Sequence, residues 1–223
     1  MHQCNALKEE LLLLKDTLDR QRKRVDTLFY QQAIEEMHFA DTSMADYYLD
    51  RSLQFNRFNS YSLIFKLHLR YAQQNYTECT DILRLIYTNV PLTNEQENEL
   101  SDFNTQFYAT LYNQGDSLVK VGHEADALTL FQTLETFCHD LPSAYCNDDY
   151  YHGIIRSKSG VYESYLTISK VAWERKNPQL AYKFLDYAKT YLLENEDDII
   201  ISDKFIHYIE EMEANRHSYH FNP

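Results

Sequence analysis

Glycine and proline are scarce in this chain, with only four of each among 223 residues. The tight turns of β-hairpins depend on these two residues, so an antiparallel sheet would have little turn chemistry available. Long helices, in contrast, carry few glycines or prolines in their interiors. The composition therefore predicts an all-α protein.

Basic charge is also scarce. Lys and Arg together number 21 against 34 Asp and Glu, which gives a formal net charge of -13. Binding to phosphates requires clustered Lys and Arg, so this balance argues against a nucleic-acid partner. We expect the partner to be another protein or peptide that is neutral or basic.

Long apolar runs are absent. Near the start, the longest is Leu11–Leu14, which is too short for the core of a signal peptide or for a spanning helix. As written, the chain is expected to be cytoplasmic and not inserted in a membrane. The opening Met1–Asn5 is abrupt, so an extracytoplasmic lipoprotein whose leader was removed before Cys4 stays open as an alternative.

The motifs of common enzymes are missing as well. The sequence has no glycine-rich phosphate loop, no His-Glu-x-x-His and no embedded nucleophile motif. Glu35-Glu36 and Glu210-Glu211 are neighbours on predicted helices, where adjacent side chains point apart, so they are best explained as solvated charge. We therefore expect neither catalysis nor a cofactor.

The most informative stretch is Tyr108–Leu141, which contains two helical patterns joined by a turn. Apolar or small residues recur there at helical spacing on both sides of Gly122, namely Leu111, Gly115 and Leu118 before it and Ala127, Phe131 and Leu134 after it. This pattern predicts a helix hairpin. Similar patterns recur along the chain, with turns at Ala40-Asp41 and Asn177-Pro178, and divide it into segments 26–59, 60–93, 94–141 and 147–195.

A large, small, large succession followed by Ala and then an aromatic residue resembles the tetratricopeptide repeat, a helix-turn-helix unit of about 34 residues. Glu36 and Arg70 depart from the pattern, because the family prefers a bulky apolar residue at these positions. The resemblance implies one domain over residues 1–223. It implies a right-handed α-α superhelix, or solenoid, of four hairpins between an N-terminal helix at 6–25 and a capping helix at 196–216.

The later hairpins are longer than the earlier ones. The matching positions Cys79, Ala127 and Ala181 are 48 and 54 residues apart. Thr93-Asn94-Glu95-Gln96 has the form of a capping box, so we expect the helix that ends near Gly122 to begin at Asn94. Asn147 is expected to open a second long helix to Lys176, which Gly153 and Gly160 are able to bend or break. Such long helices offer a wall or a dimer contact.

Residues Ala6–Leu28 carry apolar side chains at nearly heptad spacing, interrupted by Gln21. Two interpretations stay open: a half-repeat that caps the first hairpin, or a coiled-coil arm that forms a homodimer. The basic cluster of Arg20, Arg22, Lys23 and Arg24 is interpreted as a solvated face. At the other end, Glu196–Arg216 is expected to be one amphipathic capping helix.

Metal-type ligands crowd together only around Cys138–Cys146. The two cysteines are eight residues apart, unlike the close pairs of structural zinc sites, so we expect no metal. A disulfide between them is plausible in an extracytoplasmic protein, although its pairing does not follow from sequence. Cys79 occupies a small-residue position and is expected to be buried.

The resemblance also implies a binding groove on the concave face, formed by the first helix of each hairpin. By matching positions, this groove would carry Tyr30, Ile34, His38, Ile64, His68, Tyr71, Tyr112, Asp116, Lys120, Leu166, Lys170 and Trp173. The basic clamp with which some co-chaperone members of the family hold a carboxylate is missing, and the lining is aromatic and apolar. We expect a non-catalytic scaffold that binds a partner segment. The alternative is a sensory or regulatory input domain of a bacterial signalling protein.

Overall fold

The computed structural model describes residues 2–141 and 145–216, without the side chains of residues 2–10 and 23. Within these ranges every regular element is a helix and no strand occurs, which confirms the all-α prediction. A short 3-10 helix occupies Glu196–Asp198. The α-helices are α1 (His2–His38), α2 (Thr42–Phe55), α3 (Ser60–Ala72), α4 (Tyr76–Asn89), α5 (Asn94–Lys120), α6 (Glu124–Asp140), α7 (Asp149–Glu174), α8 (Pro178–Glu194) and α9 (Asp203–Arg216).

Contacts divide the chain into two compact units, which we call unit 1 and unit 2. Unit 1 extends to Phe103, and unit 2 begins at Asn104, so the division falls within α5. In unit 1, α1 packs on α2, α2 on α3, and α3 on α4. In unit 2, α6 packs on α7, and α7 packs on both α8 and α9. None of the helices described is both long enough and apolar enough to cross a membrane.

The same turn joins α1 to α2, α3 to α4, α5 to α6, and α7 to α8. In each turn one residue has a positive φ of between 58° and 83°, and these residues are Ala40, Gln74, Gly122 and Lys176. The N–H of the next residue bonds to a carbonyl five residues earlier, as in Asp41 N to Glu36 O at 3.0 Å and His123 N to Leu118 O at 2.9 Å. This is the Schellman motif, which satisfies the last carbonyls of a helix. The turns expected at Ala40-Asp41, Gly122 and Asn177-Pro178 are therefore present.

Helix α5 begins as expected. Thr93 Oγ1 accepts a hydrogen bond from Gln96 N at 3.3 Å, and Gln96 Oε1 accepts one from Thr93 N at 3.2 Å. These reciprocal bonds confirm the capping box and the start of the helix at Asn94. Helix α7 was expected to open at Asn147 and instead begins at Asp149. Asn147 lies just before the helix, where its Oδ1 accepts a hydrogen bond from Asp149 N at 3.1 Å.

Helix α1 has two distinct faces. The prediction of a separate helix at 6–25 is wrong, because residues 2–38 contain no glycine or proline and form one continuous helix. Where α2 packs on it, Asp26 and Ala33 are buried. Leu11, Leu14 and Leu18 are between 54% and 64% exposed, so a cap that buries these residues on the first hairpin is not what the structure shows.

Buried polar groups join the helices of unit 1. The Asp26 carboxylate of α1 accepts hydrogen bonds from Asn56 Nδ2 at 2.7 Å and Asn59 Nδ2 at 3.1 Å, in the loop between α2 and α3. Ser52 Oγ donates to Asp26 O at 2.9 Å and lies 2.7 Å from Ser62 Oγ. Because each of these groups has a partner, the loop is fixed to α1 without leaving buried polar atoms unsatisfied.

Arg70 on α3 is polar where an apolar residue was expected, and its hydrogen bonds give the reason. Its guanidinium donates two bonds of 2.8 Å to the Asp46 carboxylate on α2 and one of 2.6 Å to Glu78 Oε2 on α4. A guanidinium carries several N–H donors in one plane, so it is able to pair with two carboxylates at once. Arg70 therefore links α2, α3 and α4 through charged hydrogen bonds.

In unit 2, glycines on α5 and α7 allow these helices to pack closely against an aromatic ring of α6. The Phe131 ring of α6 is fully buried and lies against Gly115 of α5 and Gly153 of α7. A Cβ built on Gly115 would lie 2.8 Å from the ring, and one built on Gly153 would overlap it. Gly153 therefore makes room for a neighbouring ring, and α7 continues through both Gly153 and Gly160 without a break.

The end of the described chain differs from one long capping helix. After the 3-10 helix, Ile200 N donates a hydrogen bond to Ser159 Oγ of α7 at 2.9 Å, and α9 begins only at Asp203. The expected helix start at Glu196 is therefore wrong, because this backbone bonds to α7 and not to its own next turn. Phe205, Tyr208 and Met212 of α9 are buried against α7 and α8.

Candidate functional site

Three of the twelve expected groove residues meet at one cavity in unit 1, which we call the unit 1 cavity. Its volume is about 250 Å³. One wall is formed by Tyr30 of α1 and by four residues of α3, namely Tyr61, Ile64, Phe65 and His68. The rest of the lining comes from the start of α5 and its cap, namely Thr93, Glu95, Gln96 and Glu99. Three helices that are distant in sequence therefore contribute to this cavity.

Gln96 places α5 at the cavity. Besides closing the capping box, its side-chain Nε2 donates a hydrogen bond of 2.9 Å to Ser60 Oγ at the start of α3. Gln96 is only 4% exposed, so this bond is shielded from water. The N-terminal turn of α5 is thus fixed to the N-terminal turn of α3, and the next turn of α5 presents Glu99 to His68.

Aromatic rings form much of the α1 and α3 wall. The Tyr30 centroid lies 5.8 Å from that of Tyr61, with the rings tilted, and 6.2 Å from that of Phe65 in an edge-to-face arrangement. Tyr61 is 56% exposed, whereas Ile64 is 5% exposed. The cavity therefore has an apolar floor and an aromatic rim that solvent reaches.

The charge at the cavity is negative. Glu95 and Glu99 lie four residues apart on one face of α5 and are both exposed. Among the described residues that line the cavity, His68 is the only basic one, and its Nε2 lies 2.9 Å from Glu99 Oε1. Burial, followed by the negative charge of Glu99 and the proximity of Tyr61, raises the pKa of Tyr30.

The remaining expected groove residues of unit 1 lie outside this cavity. Ile34 is partly buried and His38 is exposed on α1. Tyr71 packs its ring against Tyr76 and against Phe103, with centroid distances of 6.1 and 5.3 Å. Tyr71 therefore takes part in the packing between α3, α4 and the first part of α5.

In unit 2 the expected residues do not share one site. Leu166 is fully buried in the core, so it is not an exposed groove contact. Tyr112 stacks on Tyr108 at 6.2 Å and meets Phe131 edge-on at 6.0 Å. Trp173 is partly buried, with its ring 6.0 Å from that of Tyr182, and Lys170 is exposed.

Asp116 and Lys120 form part of an ion-pair cluster. Asp116 Oδ2 lies 2.7 Å from Lys120 Nζ, and Asp116 Oδ1 lies 3.0 Å from Arg156 Nη2 of α7. The hydrogen bond from Lys120 and, after it, that from Arg156 lower the pKa of Asp116. This arrangement joins α5 to α7, so Asp116 and Lys120 are already engaged with partners in unit 2.

Unit 2 contains a cavity of a different chemistry. Its volume is about 260 Å³, and it lies among α7, α8, the segment at Ile201 and α9. Leu166, Leu185, Leu192, Ile201, Ile206 and Ile209 supply most of its lining, with Lys189 and Glu210 as the charged members. Ile201 and Ile206 are 38% and 43% exposed, so solvent reaches this apolar surface.

Sequence reasoning missed the acidic half of the unit 1 cavity. Tyr61 and Phe65 lie one turn apart and flank Ile64, a spacing that would have placed them near the same face. Glu95 and Glu99 carry no comparable signal, because they belong to the next hairpin and reach the cavity only through the Gln96 contact. Their contribution is a consequence of tertiary structure.

Both cysteines of the Cys138–Cys146 stretch are used by one disulfide, with a Cα to Cα distance of 5.8 Å. Within the described residues no group of three or more potential metal ligands comes together. Cys79 is fully buried, as expected, and burial followed by the negative charge of Glu78 raises the pKa of its thiol to about 12. Such a thiol is a poor nucleophile at neutral pH, which fits a packing role.

In comparisons with known proteins, no family model, no curated protein and no solved structure matches this chain.

Proposed function

We propose that this chain is a non-catalytic scaffold that binds a segment of another polypeptide at the unit 1 cavity. The observation that carries the proposal is the convergence of Tyr30, Ile64 and His68, from two different helices, on one solvent-accessible cavity. Aromatic side chains offer large contact area at low entropic cost, which is why they dominate many binding surfaces. The exposed Tyr61 ring extends this surface.

The proposal includes the resemblance to tetratricopeptide repeats and the right-handed solenoid that the resemblance implies. What supports it is the recurrence of one hairpin design, since four helix pairs are closed by the same Schellman turn. In each of the first, second and fourth turns the next residue is Asp or Asn, and its side chain caps the second helix. A repeated local design is typical of repeat proteins, which bind partners along extended surfaces.

The alternative, an extracytoplasmic sensory or regulatory input domain, is favoured by a separate observation. The Cys138–Cys146 disulfide suits an oxidising compartment, because cytosolic thiols are kept reduced. Free thiols are blocked in freshly lysed and denatured source cells, and mass spectrometry of the chain then shows which cysteines carry a blocking group. Blocking of Cys79, with or without Cys4, but not of Cys138 and Cys146 would support an oxidising compartment. Blocking of Cys138 and Cys146 would oppose it.

The test of scaffold function compares two tyrosines of similar exposure. Tyr61 lines the cavity and is 56% exposed, whereas Tyr47 on α2 lies outside it and is 48% exposed. We expect the intact chain and the Tyr47→Ala variant to capture the same polypeptide from a lysate of the source organism, and the Tyr61→Ala variant to lose it. Equal capture by all three would show that binding uses another surface.

We also propose that the exposed seam of α1 pairs two copies of this chain as a parallel coiled coil. Leu11, Leu14, Leu18, Gln21, Val25 and Leu28 follow each other at alternating spacings of three and four residues, and this is the a and d pattern of a heptad repeat. A second copy presents the same spacing. In the parallel register the sequence has Glu10 at g and Lys15 at e of the next heptad, a pair of opposite charge at the positions that favour this pairing.

The α1 sequence provides a matched control for this pairing. Leu12 and Leu13 are 55% and 67% exposed but lie outside the seam, whereas Leu11 and Leu14 lie in it with similar exposure. We expect the Leu11→Glu and Leu14→Glu double variant to sediment as a monomer at concentrations where the unaltered chain is dimeric. The Leu12→Glu and Leu13→Glu double variant should stay dimeric, and a monomeric unaltered chain would overturn the proposal.

A further inference from the structure

We infer that the unit 1 cavity binds the cationic side chain of an arginine or lysine on the partner polypeptide. This inference rests on the proposed function and names the chemistry of its central contact. It replaces the purely apolar anchor that the sequence suggested, because the structure adds two carboxylates to the aromatic wall.

The aromatic wall is suited to a cation. The Tyr30 ring lies 5.8 Å from that of Tyr61 at a tilted angle and 6.2 Å from that of Phe65 edge-to-face, so both faces and edges of rings line this space. A guanidinium or ammonium group is attracted to the electron-rich face of such rings. The methylene stem of the same side chain packs on the apolar floor at Ile64.

The carboxylates supply the complementary charge. Glu95 and Glu99 lie one helical turn apart on the cavity face of α5, and the cavity lining that the structure describes contains neither Lys nor Arg. A carboxylate beside an aromatic ring is the arrangement in which a guanidinium both stacks and forms charge-assisted hydrogen bonds. The chain as a whole carries a net charge of -13, so its long-range field attracts the same kind of partner.

The position of Glu99 is not explained by the helix alone. Acidic residues are favoured in the first turn of a helix, and this accounts for Glu95 and Glu97. Glu99 lies beyond that turn, where the helix dipole gives little benefit, and its Oε1 lies at the cavity, 2.9 Å from His68 Nε2. Its carboxylate is therefore the one we expect to contribute most to binding.

The experiment measures the binding of acetyl-arginine methylamide to the full-length chain by chemical-shift titration of the isotopically labelled protein. The neutral control ligand is acetyl-citrulline methylamide, which keeps the shape of arginine without its charge. We expect arginine to shift the amide signals of α3 and of the first turns of α5, with citrulline at least tenfold weaker. Equal binding of the two ligands would overturn the inference.

Variants of α5 separate a site from a general charge effect. We expect Glu99→Gln to weaken arginine binding about tenfold, whereas Glu97→Gln removes the same charge from the same helix outside the cavity and should change it less than twofold. Equal losses in the two variants would show that only net charge matters. Circular dichroism of each variant verifies that the helices are intact.

This outcome is distinguishable from failure of the proposed function. If Tyr61-dependent capture of a polypeptide is observed but arginine and citrulline bind equally, the scaffold stands and the cationic anchor is overturned. If arginine methylamide binds at the cavity but no polypeptide is captured through Tyr61, the polypeptide partner is overturned and a free cation is the ligand of the cavity.

Discussion

In unit 1 the helices are joined by buried polar groups, whereas in unit 2 a buried ring lies between two glycines. Asp26 and Arg70 each connect elements of unit 1 through hydrogen bonds to side chains on other helices or loops. Phe131 connects α5, α6 and α7 of unit 2 through shape alone. In unit 1, removal of one member of such a polar pair leaves the other without its hydrogen bonds. In unit 2, removal of the Phe131 ring leaves an empty space.

The two cavities differ in the same way. The unit 1 cavity combines rings with carboxylates, and the unit 2 cavity is lined mainly by aliphatic side chains, although their volumes of about 250 and 260 Å³ are nearly equal. Helix hairpins closed by one type of turn therefore support two different surface chemistries. The side chains between the turns, and not the turns themselves, determine what each unit is able to bind.

The largest effect is expected from Phe131→Ala in unit 2. The ring is fully buried, and the glycines on either side of it have no side chain that could fill the space. We expect the free energy of unfolding to fall by about 4 kcal/mol. Trp173, the only tryptophan, lies in unit 2, so its fluorescence during urea unfolding measures this loss. Leu193→Ala, at a side chain of unit 2 that is 77% exposed, serves as control with a loss below about 0.5 kcal/mol.

A double-mutant cycle with Gly153→Ala sharpens this prediction. Alone, the added methyl overlaps the Phe131 ring, and we expect a loss of about 2 kcal/mol. In the Phe131→Ala background the overlap is gone, and alanine is expected to stabilise α7 by about 1 kcal/mol through its helix propensity. The change in sign is the test, and a destabilising effect in both backgrounds would contradict packing of this ring against Gly153.

A smaller loss in the free energy of unfolding is expected from Arg70→Met in unit 1. Methionine keeps much of the volume but leaves the Asp46 and Glu78 carboxylates without their main partner. Both carboxylates are partly exposed, so we expect a loss of about 2 kcal/mol, which is less than the full value for a buried pair. The control is Arg84→Met, which removes an exposed pair with Asp81 and should cost less than about 0.5 kcal/mol.

The readout of Arg70→Met also tests the division into units. We expect part of the far-ultraviolet circular dichroism to be lost at lower urea concentration, while the Trp173 transition in unit 2 keeps its midpoint. If the Trp173 midpoint moves by the same amount, the two units unfold in one cooperative step. In that case the contrast between them is one of packing chemistry and not of independent stability.

The sequence predicted the features that depend on local structure. The all-α class, the Thr93–Gln96 capping box and the turn at Gly122 follow from short stretches in which a residue's neighbours along the chain decide its conformation. The residues of the candidate site were predicted only in part from the sequence. Tyr30, Ile64 and His68 meet at one cavity, whereas Leu166 belongs to the core.

The features that were missed depend on contacts between distant segments. Glu99 reaches the unit 1 cavity because Gln96 bonds to Ser60, and no local pattern indicates this contact. Gly153 was considered a possible break in α7, since a glycine in a helix is locally unfavourable. Its role became clear only with the Phe131 ring against it. Likewise, Ile200 is drawn from a helical conformation by the distant Ser159 hydroxyl.

The smallest change in the free energy of unfolding is expected from loss of the Asp198 charge, at a polar contact in unit 2. Asp198 accepts hydrogen bonds from Lys158 Nζ at 2.6 Å and from Tyr151 Oη at 3.1 Å. The bond from Lys158, with the smaller contribution of Tyr151, lowers the pKa of Asp198 from its ordinary value of 3.8. A depressed carboxylate pKa stabilises the folded state above pH 3.8, and this stabilisation is lost as the pH falls through the lower, folded-state pKa.

We therefore expect Asp198→Asn to reduce the free energy of unfolding at pH 7 by about 0.5 kcal/mol, because the contact is partly screened by solvent. The difference from the unaltered chain should shrink as the pH falls below 3.8 and the native aspartate also becomes protonated. Asp197→Asn is the control, since it removes the same charge from the exposed neighbouring residue. Urea unfolding followed by Trp173 fluorescence across this pH range measures both variants. An Asp198→Asn loss that persists unchanged at low pH would show that side-chain shape, and not the charge of the carboxylate, stabilises this contact.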